Sequence, residues 1–264
     1  MFKNLRTLFK YRPLIQALVA RDLKARYRGS VLGFFWSFIN PLALLLIYTF
    51  VFSSVLQSRA ADLEPYALFM FCGLLPWTWF SSSVLEASNV LIAGGNLIKK
   101  VLFPAEVLPI VTVLSNMVHF FLGLPIVVIF LVYYQRTPEF LDILWLPVVV
   151  LVQFVFTVGL ALLVSALTVH FRDFKDILGN IMTFWFFATP IIYPMKMAVD
   201  AGHKLWLDIN PMTHLAVSYQ EILFHPGAFG HGKWLLALGG ASVVLFFVGY
   251  FVFDRLRDSF AEEV

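Results

Sequence analysis

The side chains able to make or break covalent bonds are present in this sequence but scattered. Six histidines, at positions 119, 170, 203, 214, 225 and 231, show no HExxH spacing, so no helix offers two imidazoles and a carboxylate to a zinc ion. Cys72 is the one cysteine and has no partner for a metal site or a disulfide. No GxSxG turn lifts a serine into attack position. The stretch Gly227-Ala-Phe-Gly-His-Gly-Lys233 satisfies GxxxxGK, the spacing of a phosphate-cradling loop. That chemistry needs Ser or Thr next to hold Mg2+, and Trp234 stands there instead. The sequence therefore predicts a glycine-rich connector at that point, no resident metal, and a chain that does not hydrolyse nucleotide.

What remains is polar chemistry inside apolar runs. Glu86 is the one formally charged side chain well inside these runs, where an acid marks either a pathway or a buried partner such as an Arg. Ser82, Asn116 and His119 could line a wet conduit or bind helices together. Trp77, Trp79, Phe80 and Trp185 offer faces on which the C–H side of a sugar ring would stack, although interfacial belts use the same residue types.

The elements that must position these groups follow from composition. Of 264 residues, 60% are hydrophobic and 13% charged. Soluble domains carry about 25% charged residues, so this chain cannot cover one globule with a polar surface. Disorder, a secreted disulfide framework and a soluble enzyme core are excluded. Runs of roughly 20 apolar residues, enough for about 30 Å of hydrocarbon, fall at about 33–56, 66–92, 105–133, 143–169, 177–193 and 233–253. The expected fold is an all-α membrane protein with six transmembrane helices. The fifth run is short, and 194–224 after it is apolar but broken by Pro, Asn, Gly and His. We read it as a pair of short helices dipping partway into the membrane, tolerable only where buried or wet.

Charge placement orients the chain. Fourteen of the 19 Lys and Arg residues fall on the side shared by the N-terminal segment, the connectors near 99 and 172, and the C-terminal tail. The positive-inside rule puts both termini in the cytoplasm. The N-terminus lacks a short apolar core with a small-residue cleavage site and reads as mature sequence. Within 1–32, Leu14, Ile15, Leu18, Val19, Leu23 and Tyr27 recur at helical spacing opposite Gln16, Arg21, Lys24 and Arg28, after Pro13. This predicts an amphipathic interfacial helix ahead of a transmembrane domain over 33–264. Two connectors, Gly94 to Pro104 and His170 to Asp176, combine exposed Phe with alternating charge, as an interface anchor does.

The segment Arg21-Asp-Leu-Lys-Ala-Arg-Tyr-Arg-Gly-Ser-Val-Leu-Gly-Phe-Phe-Trp-Ser-Phe-Ile-Asn-Pro41 resembles the N-terminal signature of ABC-2 type permeases that export polysaccharides. These are the membrane subunits of O-antigen, capsule and teichoic acid exporters. Leu102-Phe-Pro-Ala-Glu106, Phe171-Arg-Asp-Phe-Lys-Asp-Ile177, Thr189-Pro-Ile-Ile-Tyr-Pro194 and Asn210-Pro-Met-Thr-His214 agree with it in order. The resemblance implies a homodimer in the bacterial cytoplasmic (inner) membrane, clamped to two copies of a cytoplasmic ABC ATPase that hold ATP and Mg2+, with no nucleic acid involved. It implies that Lys99, Lys100, Phe103, Glu106, Phe171, Arg172, Asp173, Phe174 and Lys175 contact those ATPases. It makes 194–224 a pair of gate helices, with Pro190, Tyr193, Pro194, Asn210 and Pro211 at their joints. The implied cargo is a glycan on an undecaprenyl-type lipid pyrophosphate, O-antigen first and capsule or teichoic acid as alternatives. Arg26, Tyr27, Arg28 and Gly29 would then meet the pyrophosphate, since guanidinium pairs with phosphate oxygens in a bidentate fork. Pro41 would bend the first span. An ABC-2 exporter of drugs or small lipids, and a membrane-embedded enzyme built on Glu86 and His119, are the rival readings.

Overall fold

Proline and glycine divide the chain into its helices. Pro13 occupies the first turn of α1 (Arg12–Arg26), where its missing N–H leaves no bond unmade. Gly29 and Gly33 then adopt φ of +81° and +51°, a region glycine enters without strain, and turn the chain into α2 (Trp36–Phe50). The long helices α3 (Tyr66–Ala93), α4 (Val107–Tyr133) and α5 (Leu146–His170) follow, then α6 (Phe174–Phe187). Three short helices come next, α7 (Met195–Asp200), α8 (Lys204–Ile209) and α9 (Pro211–Leu223). The chain ends with α10 (Gly232–Leu256), a 3-10 turn Arg257–Ser259, and α11 (Phe260–Glu263). This is a computed structural model, and it describes residues 10–51, 65–99, 103–136, 138–171, 173–225 and 227–263, except the side chains of Phe34, Ala261 and Glu262.

Among the described residues, four apolar helical stretches are long enough to cross a membrane: Tyr66–Ala93, Val107–Tyr133, Phe140–His170 and Gly232–Ser259. They coincide with the expected second, third, fourth and sixth spans. The expected first span is helical from Trp36, and its residues from 52 onward lie outside the described ones. The expected fifth span is shorter than the sequence suggested. α6 has 14 residues, which gives it about 21 Å of length against the roughly 30 Å a full crossing needs. It stops at a turn over Thr189 and Pro190. The segment after it holds three helices rather than the expected pair, because Gly202 (φ +87°) breaks α7 from α8 and Pro211 restarts the chain as α9.

α3 is the hub of the bundle and packs against α4, α5, α6 and α9. α5 and α10 cross at two glycines: a Cβ on Gly249 would lie 2.2 Å from the Gly159 carbonyl oxygen. Only bare backbone permits that approach. α1 shows the expected periodicity, but its apolar side seats on protein: Leu18 is buried with Val107 and Val111 of α4, flanked by Leu14, Ile15 and Val19. Arg21 and Lys24 remain exposed on its other face.

Candidate functional site

At the C-terminal end of α1, three helices place polar groups around one point. Arg26 reaches Glu86 on α3 through two parallel bonds, Nη1 to Oε1 at 3.1 Å and Nη2 to Oε2 at 2.5 Å. Asn116 on α4 donates to Glu86 Oε2 at 2.9 Å and accepts from Arg26 Nη1 at 3.3 Å. Asp22, one turn back on α1, sits 3.4 Å from Arg26 Nε. Burial alone would lower the Arg26 pKa, but the Glu86 hydrogen bond and charge, then Asp22, outweigh it and hold the guanidinium above its ordinary value. Next to this fork the Tyr27 hydroxyl lies 2.6 Å from Ser37 Oγ on α2 and 3.3 Å from His119 Nδ1 on α4. The glycine turn at 29–33 lets α2 come back close enough for that contact.

These groups form one end of a cavity of about 680 Å3 between α2, α3 and α4. Arg26, Tyr27, Ser37, Asn116 and His119 line the polar end. Phe71, Leu74, Leu44 and Ile47 line the other. The α3 wall runs from Phe71 to Ser82, about 16 Å at the helical rise. Phe71, Leu74, Leu75, Thr78 and Ser82 form a single stripe at helical spacing, so one face of α3 grades from apolar to hydroxylic.

The conduit candidates separate into two groups. Trp79, Ser82, Asn116 and His119 line the cavity, with Trp79 also donating to the Val113 carbonyl at 3.2 Å. Trp77, Phe80 and Trp185 do not. Trp77 and Phe80 occupy another face of α3 and close on Trp185 of α6, Phe80 to Trp185 at 5.2 Å and Trp77 to Trp185 at 6.5 Å between centroids. These three rings are packing at the α3–α6 contact, not a wall open to a ligand. Glu86 proves to be a paired acid, in keeping with an Arg partner.

Of the connector candidates, Lys99, Phe171, Asp173 and Lys175 are exposed, Phe171 at 66%. Lys100 and Arg172 lie outside the described residues. Phe103 and Phe174 are half-buried against the core. Glu106 is buried at 4% exposure, so its carboxylate is not presented to a docking partner as the sequence suggested.

The joint residues at the opposite end of the bundle do converge. Asn210 caps α9 by accepting from Met212 N at 3.0 Å, and its Oδ1 also accepts from Trp185 Nε1 at 2.7 Å. Its amide donates to the Ala188 carbonyl at 3.2 Å and to Thr189 Oγ1 at 3.1 Å. The Pro190 carbonyl accepts from Gln220 Nε2 at 3.1 Å, and the Tyr193 hydroxyl donates to the Phe187 carbonyl at 3.0 Å. Pro194 and Pro211 open α7 and α9 as N-cap and first-turn residues.

One cluster escaped the sequence reading. His214 Nδ1 lies 3.1 Å from His231 Nε2, His231 Nδ1 lies 3.5 Å from Glu221 Oε1, and Trp234 stacks on His214 with centroids 4.7 Å apart. Its members spread over 20 residues on α9, α10 and the connector between them, and no motif connects them. The same cluster explains the near-miss phosphate loop. Glu221 Oε2 accepts from Gly230 N and His231 N at 3.1 and 3.0 Å, and Asp142 Oδ1 accepts from Phe229 N at 2.9 Å. The amides that would hold phosphate are already satisfied by the chain's own carboxylates.

Residues 13–224 match the family of ABC-2 type transporters. Across the full length of both chains the sequence is 41% identical to the O-antigen export system permease protein RfbA of Myxococcus xanthus. It is 32% identical to the Klebsiella pneumoniae protein of the same name over 94% of each chain. It is 22% identical to the polysialic acid transport protein KpsM of Escherichia coli, over 89% of this chain and 90% of that one.

Proposed function

Because the chain belongs to the ABC-2 type transporter family, we propose that it is the transmembrane permease subunit of an ATP-driven exporter of lipid-linked O-antigen. The observation that carries this reading is the full-length likeness to O-antigen export permeases; likeness to a capsule exporter is more distant. Two copies stand side by side in the cytoplasmic membrane. Each crosses six times, and both termini lie in the cytoplasm. Residues 1–32 form the interfacial segment and 33–264 the transmembrane domain. ATP and Mg2+ are held by two cytoplasmic ATPase subunits that press on the connectors at 94–106 and 170–176, through Lys99, Phe171, Asp173 and Lys175.

The graded cavity supports a division of labour for an amphiphilic cargo. Its polar end faces the membrane surface where α1 lies, and its apolar end follows α3 inward. A lipid pyrophosphate meets Arg28, which is exposed and pairs with no acidic side chain among the described residues. Arg26 is already engaged by Glu86 and holds α1 in place beside the path. The helices α7–α9 act as the outer gate, tied to α6 through Asn210.

Reconstitution with its ATPase subunit in lipid vesicles tests this. Undecaprenyl-linked O-antigen should stimulate ATP turnover and appear in the lumen. Stimulation by small lipids or drugs alone would favour the drug-exporter reading, and turnover of a substrate by the purified chain without an ATPase would favour an enzyme.

A further inference from the structure

The tail Asp254-Arg-Leu-Arg-Asp-Ser-Phe260 plays no part in the reading above, yet its side chains touch both connectors. Arg257 Nη1 sits 4.0 Å from Glu106 Oε2, in the first connector, and 3.9 Å from Asp254 on its own helix. Glu106 Oε2 is buried without a hydrogen bond, so the guanidinium is the charge that this carboxylate faces. A buried carboxylate left unpaired is costly, which gives Arg257 a definite place to pull toward. Two residues later Ser259 Oγ lies 3.0 Å from His170 Nε2, where α5 ends and the second connector begins. Phe260 is fully buried, with its ring 6.2 Å from that of His170 and 5.1 Å from that of Phe253. α11 also packs against the turn Gly95–Ile98 in the first connector. A segment with no task beyond finishing a helix would leave its side chains to water and would not bury an aromatic ring between two loops.

We propose that Arg257, Ser259 and Phe260 form a strut that locks the connectors 94–106 and 170–176 at one relative setting, so that an ATPase pressing on either moves both. This rests on the reading that those connectors face the ATPase. A rigid bridge matters because force delivered to two independent loops would be lost in their separate motions, whereas a shared element turns it into displacement of the α3–α5 bundle.

The test uses the full chain in complex with its ATPase subunit, carrying spin labels at Asn96 and Asp176, both exposed. The unaltered tail should give one narrow distance distribution. Phe260→Ala, Ser259→Ala and Arg257→Gln should broaden it and cut glycan exported per ATP at least about fivefold, the low end of coupling between linked sites. The ATPase subunit should still co-purify with each. Because Phe260 is buried, Ser259→Ala and Arg257→Gln at partly exposed positions decide the matter if Phe260→Ala does not fold. Narrow distributions and unchanged export per ATP in these variants would overturn the strut while leaving the connector assignment intact. Cross-links that place the ATPase away from both connectors in the unaltered chain would overturn the assignment and the strut together.

Discussion

Arg26 and Arg28 are two residues apart and chemically identical, and the structure gives them different tasks. The guanidinium of Arg26 is spoken for by Glu86, Asn116 and Asp22, while Arg28 faces solvent. Loss of Arg26 should therefore loosen α1, and loss of Arg28 should weaken the response to an anionic lipid. Arg26→Gln and Glu86→Gln combined in a double-mutant cycle should show a coupling of about 1 kcal/mol, modest because both side chains are partly exposed. Thermal unfolding in detergent measures it, and a coupling near zero would mean that the fork does not hold the helix. Arg28→Gln should leave the melting midpoint unchanged but raise the concentration of lipid-linked glycan needed to stimulate ATP turnover. The sequence made Glu86 visible as the one acid in an apolar run. Its partner was harder to see, because 60 residues separate the pair and only the folding of α1 back onto α4 brings them together.

Elements were legible where hydrophobic length alone decides them. The runs that became α3, α4, α5 and α10 needed no partner to be recognised, because the bilayer requires about 20 apolar residues wherever they pack. Shorter elements depend on neighbours, and there the reading was less accurate: α6 ends at residue 187 and the segment 194–224 holds three helices. The conduit residues show the same limit, since composition marked Trp77 and Trp79 alike and only the helical phase of α3 sends one to packing and the other to the cavity. Packing phase also makes a prediction about two glycines on α10. A methyl group at Gly249 would meet the Gly159 carbonyl oxygen at 2.2 Å, whereas at Gly240 it meets nothing within 4 Å. Gly249→Ala should destabilise the chain by about 1–3 kcal/mol through overpacking, and Gly240→Ala should be neutral or gain up to about 1 kcal/mol in helix propensity. Equal melting midpoints for the two variants would mean that the α5–α10 crossing can relax without cost.

Across the whole molecule the polar clusters sit at opposite ends of the helical bundle, an ion pair where α1 meets α3 and a histidine pair where α9 meets α10, and they differ in how protons act on them. The Asp208 carbonyl can only accept, so His214 Nε2 carries a proton and its Nδ1 accepts from His231 Nε2. Burial first, then the neighbouring His231, keeps the His214 pKa below its ordinary 6.5 although Asp208 opposes this. Burial would raise the Glu221 pKa, but the His231 hydrogen bond and charge with two backbone amides bring it below 4.5. Both depressions have the same sign: the unfolded chain binds more protons at these groups than the folded one, so the fold weakens as pH falls. The His214 contribution is complete above pH 6.5 and declines below it toward the folded-state value, while that of Glu221 is lost only in the more acid carboxylate range. The purified chain should therefore melt at a lower temperature near pH 5.5 than near pH 7.5. His214→Phe keeps a ring to stack on Trp234 but has no nitrogen to protonate, so its midpoint should fall by less over that interval than that of the unaltered chain, His225 being the other histidine outside the spans whose pKa burial lowers. If the substituted and unaltered chains lose the same number of degrees, the titrating group lies elsewhere and the histidine pair does not contribute to the acid sensitivity of the fold.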